Sequence, residues 1–318
     1  MKSSVWLLDR VQSDWEVDTL SKALNDRGIA ARRVDWATLR PMCDPVGLYA
    51  PDHGFDKPLV ALVTARVLTR HAEGELALLY DWLDTLERSG VRLINRALPL
   101  RRTQNKIVQA SLLGAAGIPV PRTRAVKNLE DVAQCLRDWG DVIVKPITGH
   151  ASIDVIRLLP SPSASAGDSP LGLREDIILW NWFQRHSLLC AQRFIENPGR
   201  DLRAVIIGTE VASCHYHIST APDGSVRSLL HPLRWEKAEL TSELESLLLR
   251  SVAALELELA TVDVLEGPDG YVIIEVNPTV SRWEPIERTS FDLTARGITA
   301  AQTDLIAGLV RERGPESK

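Results

Sequence analysis

The stretch "ATVDVLEGPDGYVIIEVNPTV", residues 260–280, decides how the chain is read. Its middle, Gly267-Pro268-Asp269-Gly270, is turn chemistry, and the flanking runs are rich in the Val and Ile that strands favour. The pattern predicts a β-hairpin whose arms carry Asp263 on one side and Glu275 and Asn277 on the other. Alternation puts Glu275 and Asn277 on one face and Val272, Ile274 and Val276 on the opposite one. A three-residue loop of Pro268, Asp269 and Gly270, with Gly270 in the left-handed position, sets Asp263 opposite Glu275. Two carboxylates so opposed repel. A hard cation relieves that cost, and Asp, Glu and Asn oxygens suit Mg²⁺. An edge hairpin with a solvated polar face is the alternative, and the hairpin alone leaves both open.

The rest of the chain narrows the choice. Its 318 residues suffice for two or three packed units, and 45% hydrophobic with 25% charged residues fits a globular protein. Net charge is −5 with no basic block, which disfavours nucleic acid as the main partner. An anionic small substrate is compatible with this charge. The four cysteines, Cys43, Cys135, Cys190 and Cys214, form no CxxC pair, so reduced thiols are expected rather than a disulfide scaffold or a structural zinc site. The opening apolar run is too short for a signal peptide and no stretch is long enough to span a bilayer, so a cytoplasmic protein without a membrane partner is expected.

Along the first hundred residues, strand and helix signals alternate. Strands are expected at 4–8, in "IAARRVDW", at 58–64 and at 91–95. Helices are expected after a capping box at Ser13 and Glu16, with Val17, Leu20 and Leu24 inward and Gly28 as terminator, and near 76–89. This rhythm predicts a small parallel-sheet domain. No GxGxxG follows its first strand, which sets aside a redox enzyme with a dinucleotide site there. Residues 103–116 read as one helix closed by Gly117. "DVIVKPITGHASIDVIRLL" reads as an antiparallel pair around a polar loop, and 160–172, rich in Ser and Pro, as a mobile surface loop. A helix near 174–186, strands through 218, a helix carrying Leu244, Leu247, Leu248 and Val252, and the hairpin complete the pattern.

Lys145, inside "VIVKP", is costly to bury without an anionic partner, so it reads as a phosphate contact or a snorkelling edge lysine. Lys106, on the first turn of its helix, alone resembles any surface lysine. Asp201 and Arg203, at i and i+2, leave one strand face, where a guanidinium can clamp a phosphate or carboxylate or form an exposed salt bridge. His215 and His217 share a face in "CHYH"; a zinc pair there lacks a third ligand, and a polar strand face lining an acceptor site is the simpler reading.

Taken together and in order, "NKIVQASLLGAAGIPVPRT", "VIVKP", "QRFIE…GRDLRAVIIG", "TVDVL" and "IIEVNP" resemble the ATP-grasp superfamily, most closely its RimK-like carboxylate–amine ligases. The spacing from Asp263 to Glu275 to Asn277 is the most specific part. The resemblance implies an α/β (α+β) ATP-grasp fold in three parts: an N-terminal pre-ATP-grasp domain at 1–100, a central subdomain at 101–188 and a C-terminal subdomain at 189–318. It implies ATP with Mg²⁺, or Mn²⁺ in its place, and an amide-forming reaction through an acyl-phosphate. The partners would be a small-molecule or peptide carboxylate and an amine such as glutamate; a homo-oligomer stays open. By the same resemblance Lys106 and Lys145 contact ATP phosphates, and Gln192, Arg193, Phe194 and Ile195 form the hinge against adenine. Asp201 approaches the ribose or nearby nucleotide groups, Asp263, Glu275 and Asn277 hold the metal, and Arg203, Arg227 and Arg282 hold the transferred phosphate.

The chain departs from the family pattern at the phosphate loop. "ITGHASID" carries one glycine, Gly149, where the family loop is glycine-rich, and fewer glycines restrict the geometries that aim several N–H groups at an anion. His150 and Ser152 are the substitute donors. Arg193 stands where the family often has Glu, Leu229 where it has Asn, and the Gly-Gly after that segment is absent. These departures raise a second reading, a nucleotide-binding regulatory or carrier protein without catalysis.

Overall fold

The computed structural model describes residues 4–10, 15–37, 42–44, 47–49, 57–68, 73–149, 153–160, 170–219, 233–280 and 297–313. Its first strand, β1 (Ser4–Asp9), leads to α1 (Trp15–Asp26), β2 (Ala30–Asp35), a short hairpin of β3 (Met42–Asp44) and β4 (Gly47–Tyr49), β5 (Val60–Val63), α2 (Glu73–Arg88) and β6 (Arg92–Ile94). The order β2-β1-β5-β6, all parallel, is the expected small domain. All four residues of β5 are buried, as a strand covered on both faces requires. Val17, Leu20 and Leu24 of α1 point inward, and Gly28 at φ +76° ends the helix turn. Ser13 of the expected capping box lies outside the described residues.

The single helix expected over 103–116 is two: α3 (Ala97–Gln104) and α4 (Lys106–Ala115). Asn105 breaks the run. Its backbone is extended, at φ −92° and ψ 107°, and its side-chain oxygen accepts from the N–H groups of Ile107 and Val108 at 3.0 and 3.2 Å. An amide side chain competing for backbone donors is what makes Asn a helix starter. Gly117, at φ +70°, closes α4 as expected.

Next come β7 (Thr123–Val126), α5 (Leu129–Trp139), β8 (Val142–Pro146), β9 (Ile156–Leu158), α6 (Leu173–Arg185) and β10 (Leu189–Arg193). Their sheet runs β7-β10-β8-β9 with every pair antiparallel, including the β8–β9 pair read from sequence. Residues 161–169 of the expected surface loop lie outside the described residues.

The third unit contains β11 (Arg200–Ile207), β12 (Glu210–Ser219), β13 (Leu233–Lys237), α7 (Ser242–Ala254), β14 (Leu259–Gly267), β15 (Gly270–Asn277) and α8 (Ile298–Arg313). Its antiparallel sheet runs β13-β12-β11-β14-β15. One face, with Leu202, Ala204, Ile206, Val262, Val264, Ile273 and Val276, packs on Leu244, Leu248 and Val252 of α7. Helix α8 packs Ile298, Ala301, Ile306 and Val310 into one core with Val17, Leu20 and Leu24 of α1. Buried Asn95 ties the first sheet to this one. Its amide donates to the carbonyls of Leu259 and Pro278 at 2.7 Å each, and its oxygen accepts from the N–H groups of Glu258 and Leu259 at 2.6 and 3.0 Å.

The hairpin arrives at its expected pairing by a different route. Gly267 pairs with Gly270, so the turn has two residues, Pro268 and Asp269, rather than three. The register then shifts: Val264 faces Ile273 while Asp263 faces Glu275, so Ile274 is skipped as a β-bulge. The bulge restores the Asp263–Glu275 pairing and reverses parity beyond it. Ile273, not Ile274 or Val272, therefore joins Val276 in the core.

Candidate active site

Five ionisable side chains stand in one register row across the five-stranded sheet. Lys237 on β13 pairs with His215 on β12, His215 with Arg203 on β11, Arg203 with Asp263 on β14, and Asp263 with Glu275 on β15. Beside it runs a shorter row of Trp235, His217 and Asp201. Residues in register share a face, so this polar face is the reverse of the one on α7.

Arg203 grips Asp263 with two bonds, Nε to Oδ1 at 2.7 Å and Nη2 to Oδ2 at 3.0 Å. Lys106 Nζ lies 2.9 Å from Glu275 Oε1 and donates to the carbonyl of Gly149 at 3.1 Å. Its reach is set by Gln109, one helical turn on. The Gln109 amide donates to the Val276 carbonyl at 2.8 Å and accepts from the Val276 N–H at 2.9 Å, fixing α4 to the edge strand beside Glu275. Asn277 Nδ2 lies 3.4 Å from Asp263 Oδ2.

Lys145 enters from the facing sheet, opposite Cys190 on the β8–β10 ladder, and is buried. Burial pushes its ammonium below the ordinary lysine value; the charge of Glu275 pulls the other way and that of Lys106 adds to the push. Burial would likewise raise the Glu275 carboxyl, but Lys106 and Lys145 outweigh it and hold the group below the usual carboxylate range. Asp263 behaves differently. Burial pushes its carboxyl up, Asp201 and Glu275 add to the push, and Arg203 only partly offsets it. Burial also works against the charge on Arg203, yet Asp263 keeps that guanidinium firmly protonated.

These facts bear on whether the triplet suits a metal. The donors of Asp263, Glu275 and Asn277 are hard oxygens, and burial, with Asp201 and Glu275 adding to it, disfavours the charge on the Asp263 carboxyl. Hard oxygen donors suit Mg²⁺, and a cation beside them would favour the ionised carboxylate. Among the described residues no three His, Cys, Asp or Glu side chains group as metal ligands; the expected set has two carboxylates and the Asn277 amide.

The expected hinge residues end and follow β10, with Gln192 and Arg193 its last two residues and Phe194 and Ile195 just beyond. Gln192 is buried and its amide donates to the Thr123 hydroxyl at 3.1 Å. The N–H groups of Arg193 and Phe194 donate to the carbonyls of Arg122 and Asp141 at 2.9 Å each, and Arg157 lies over the Phe194 ring at 3.6 Å. Ile195 packs so close to Gly267 that a side-chain carbon there would sit 3.0 Å from its Cγ2. Asp201 is buried; its Oδ2 lies 3.7 Å from His217 Nδ1, and its Oδ1 has no hydrogen-bond partner. The structure thus brings together Lys106, Lys145, Gly149, Arg203, Asp263, Glu275 and Asn277. His150, Ser152, Arg227 and Arg282 lie outside the described residues.

Sequence reasoning missed Asn105 and Gln109, which place Lys106, and Trp235 and Lys237, which extend the polar face. Gln109 had a signal: an amide one turn from Lys106 in "NKIVQ". The His215–His217 pair does share a face, with the two Nε2 atoms 3.2 Å apart.

Comparison with known proteins adds the family. The model of the RimK-like ATP-grasp domain matches residues 103–300. A tetrahydromethanopterin:α-L-glutamate ligase of Methanosarcina acetivorans is 26% identical over 80% of this chain and 79% of its own. Among solved structures, the ATP-grasp ligase PsnB, complexed with a precursor variant, Mg and ADP, superposes with a TM-score of 0.71 at 18% identity, over 98% of this chain and 99% of that one. D-cycloserine synthetase DcsG gives 0.69 at 17% identity, over 97% and 100%. No helix among the described residues is long and apolar enough to cross a membrane.

Proposed function

The chain belongs to the RimK-like ATP-grasp family of ADP-forming carbon–nitrogen ligases, and we propose that it joins a carboxylate to the amine of an amino acid through an acyl-phosphate. The supporting observation is the buried cluster in which Lys106, Lys145 and Arg203 converge on the Asp263–Glu275 pair. Such a cluster balances its charges only in part, and a nucleotide's phosphates with a divalent cation complete it.

In this reading Lys106 and Lys145 bind the phosphates, and a lysine whose charge is disfavoured by burial gains most from an anion beside it. Arg203 turns from Asp263 to the transferred phosphoryl group, where its planar fork matches the oxygens. Asp263, Glu275 and Asn277 would hold Mg²⁺, or Mn²⁺ on the same oxygen donors, and the bound ion would supply neutralisation of phosphate charge. Gln192, Arg193, Phe194 and Ile195 line the base, and the open Oδ1 of Asp201 meets the sugar hydroxyls. His150, Ser152, Arg227 and Arg282 complete the phosphate contacts.

Glutamate is the proposed amine, since curated relatives are glutamate ligases. The carboxylate is a small metabolite, cofactor precursor or peptide terminus. The test is ADP release with Mg-ATP, L-glutamate and a panel of small carboxylates and carboxylate-ended peptides, with calorimetry of Mg-ATP binding alongside. Carboxylate-dependent ADP supports the ligase. Tight nucleotide binding with no ADP from any carboxylate replaces it with a regulatory nucleotide-binding protein.

A further inference from the structure

The nucleotide reading assigns the hinge but not what holds it in place. On the second sheet Val142, Val144, Leu158, Leu189 and Ala191 face the core under α5 and α6. Alternation turns Lys145 and Cys190 to the other face, and with them, two residues along, a row of Thr123, Gln192, Ile143 and Arg157. Phe194 follows at the same parity, its N–H donating to the Asp141 carbonyl at 2.9 Å. Three steps thus run along one face: the phosphate lysine, the Gln192 row and Phe194. Two residues of strand span about 7 Å. With phosphates at Lys145, the base of a nucleotide lies over the Gln192 row and Phe194.

Arg157 closes this end of the face. Its Nε donates to Asp141 Oδ1 and Oδ2 at 3.2 and 3.0 Å, and its Nη2 to Oδ2 at 2.5 Å. Its guanidinium lies 3.6 Å from the centre of the Phe194 ring. Asp141 therefore holds Phe194 twice, at the backbone by its own carbonyl and at the ring through Arg157. The Arg157 and Asp141 side chains are 38% and 23% exposed, and an ion pair so open adds little to stability. A two-pronged grip on a planar cation, itself stacked on an aromatic ring, fixes orientation instead.

We propose that Asp141 and Arg157 are positioning residues for the nucleotide base, setting the Phe194 ring against which it packs; the inference rests on the nucleotide site proposed above. Without the guanidinium over it the ring can change rotamer, and the base then meets a mobile wall. The effect is confined to the base, because the lysine row lies two or more residues away along the sheet.

The test separates base from phosphates. Calorimetry compares Mg-ATP with magnesium tripolyphosphate, an inorganic chain that carries the phosphates alone. Arg157→Met is expected to weaken ATP about tenfold and tripolyphosphate less than about twofold. Asp141→Asn should do the same, and the double variant should lose no more than either single one, because the two residues act as a unit. Equal losses for both ligands, or no loss for ATP, would overturn the proposal. So would a wild-type protein that binds tripolyphosphate as tightly as ATP, since it would have no base contact to position. A wild-type protein that binds neither ligand would instead sink the nucleotide site itself. Should the variants not fold, hydrogen exchange of the wild-type protein decides. ADP is expected to slow exchange over residues 192–195, and tripolyphosphate is not. Equal slowing by both, or none by ADP, overturns the assignment.

Discussion

The two faces of β11 put opposite demands on one strand. Leu202, Ala204 and Ile206 face α7 in a dry core, and Asp201 and Arg203 face the Asp263–Glu275 row. On the first face energy scales with buried volume and contact, and chemically similar side chains exchange at modest cost. On the second the charges hold one another. Each is tolerable only because of its neighbour, so a change of one atom can matter more than the loss of a methyl group. The sheet is therefore a packing surface on one side; on the other it is an electrostatic device at Asp201 and Arg203 and a packing surface again at Val205 and Ile207, which join the core with α8.

The sharpest way to break that contrast is to remove charge without removing volume. Glu275→Gln and Asp263→Asn are each expected to lower turnover about 10³-fold, the scale of removing one preorganised electrostatic group. Turnover near the wild-type rate at ordinary Mg²⁺ would return the hairpin to a solvated edge. The two should differ in stability. Asp263→Asn leaves the largely buried Arg203 without its anion, and denaturant unfolding should show a loss of about 3 kcal/mol. Glu275→Gln should cost less, because Lys106 keeps the Gly149 carbonyl.

On the apolar face Ile206→Ala removes a fully buried side chain and should cost about 2–5 kcal/mol. Turnover of the folded fraction should hardly move. A large fall in turnover at full folding would mean that the two faces are coupled through the strand.

Lys145→Met separates the faces by pH. Nucleotide affinity should fall at least tenfold, about 1.4 kcal/mol, read by calorimetry; an unchanged affinity would restore the snorkelling lysine. The folded ammonium has its pKa below the ordinary value of 10.5. The unfolded chain therefore binds more protons between the lowered value and 10.5, and stability rises with pH through that window. The rise should vanish in the Met variant, and a wild-type profile in that variant would show that another group causes it.

How much of this was legible in the sequence depended on how local each signal was. The parallel domain and the lysine-bearing strand announce themselves in short apolar runs, and the Asp263–Glu275 pairing in turn residues and spacing. The bulge at Ile274 was not readable. Two errors of register, in turn length and in bulge, cancel at Asp263, and no residue type there signals either. The Asn95 bonds to Leu259 and Pro278 join residues more than 160 apart, and the row from Lys237 to Glu275 exists only once five strands pair. Asn105 was visible but read as helix interior, because Thr103 to Ala116 carries no proline or glycine before Gly114.

That last residue offers the smallest and most discriminating test. Asn105 lies on neither face, yet it starts the helix that brings Lys106 to the polar one. Its side chain satisfies two N–H groups at the first turn, and losing such a cap typically costs about 1 kcal/mol. Lys106 has further anchors: its own N–H donates to the Ile147 carbonyl at 3.1 Å, and Gln109 holds the helix to Val276. Asn105→Ala should therefore unfold slightly earlier in denaturant, with Asn105→Asp close to wild type because a carboxylate also caps. Nucleotide affinity should drop less than about threefold, a fraction of the cap's own energy. If affinity falls as far as in Lys145→Met, Gln109 does not hold α4 by itself. The start of the helix then sets the geometry of the charged row, and the polar face extends into the backbone that carries it.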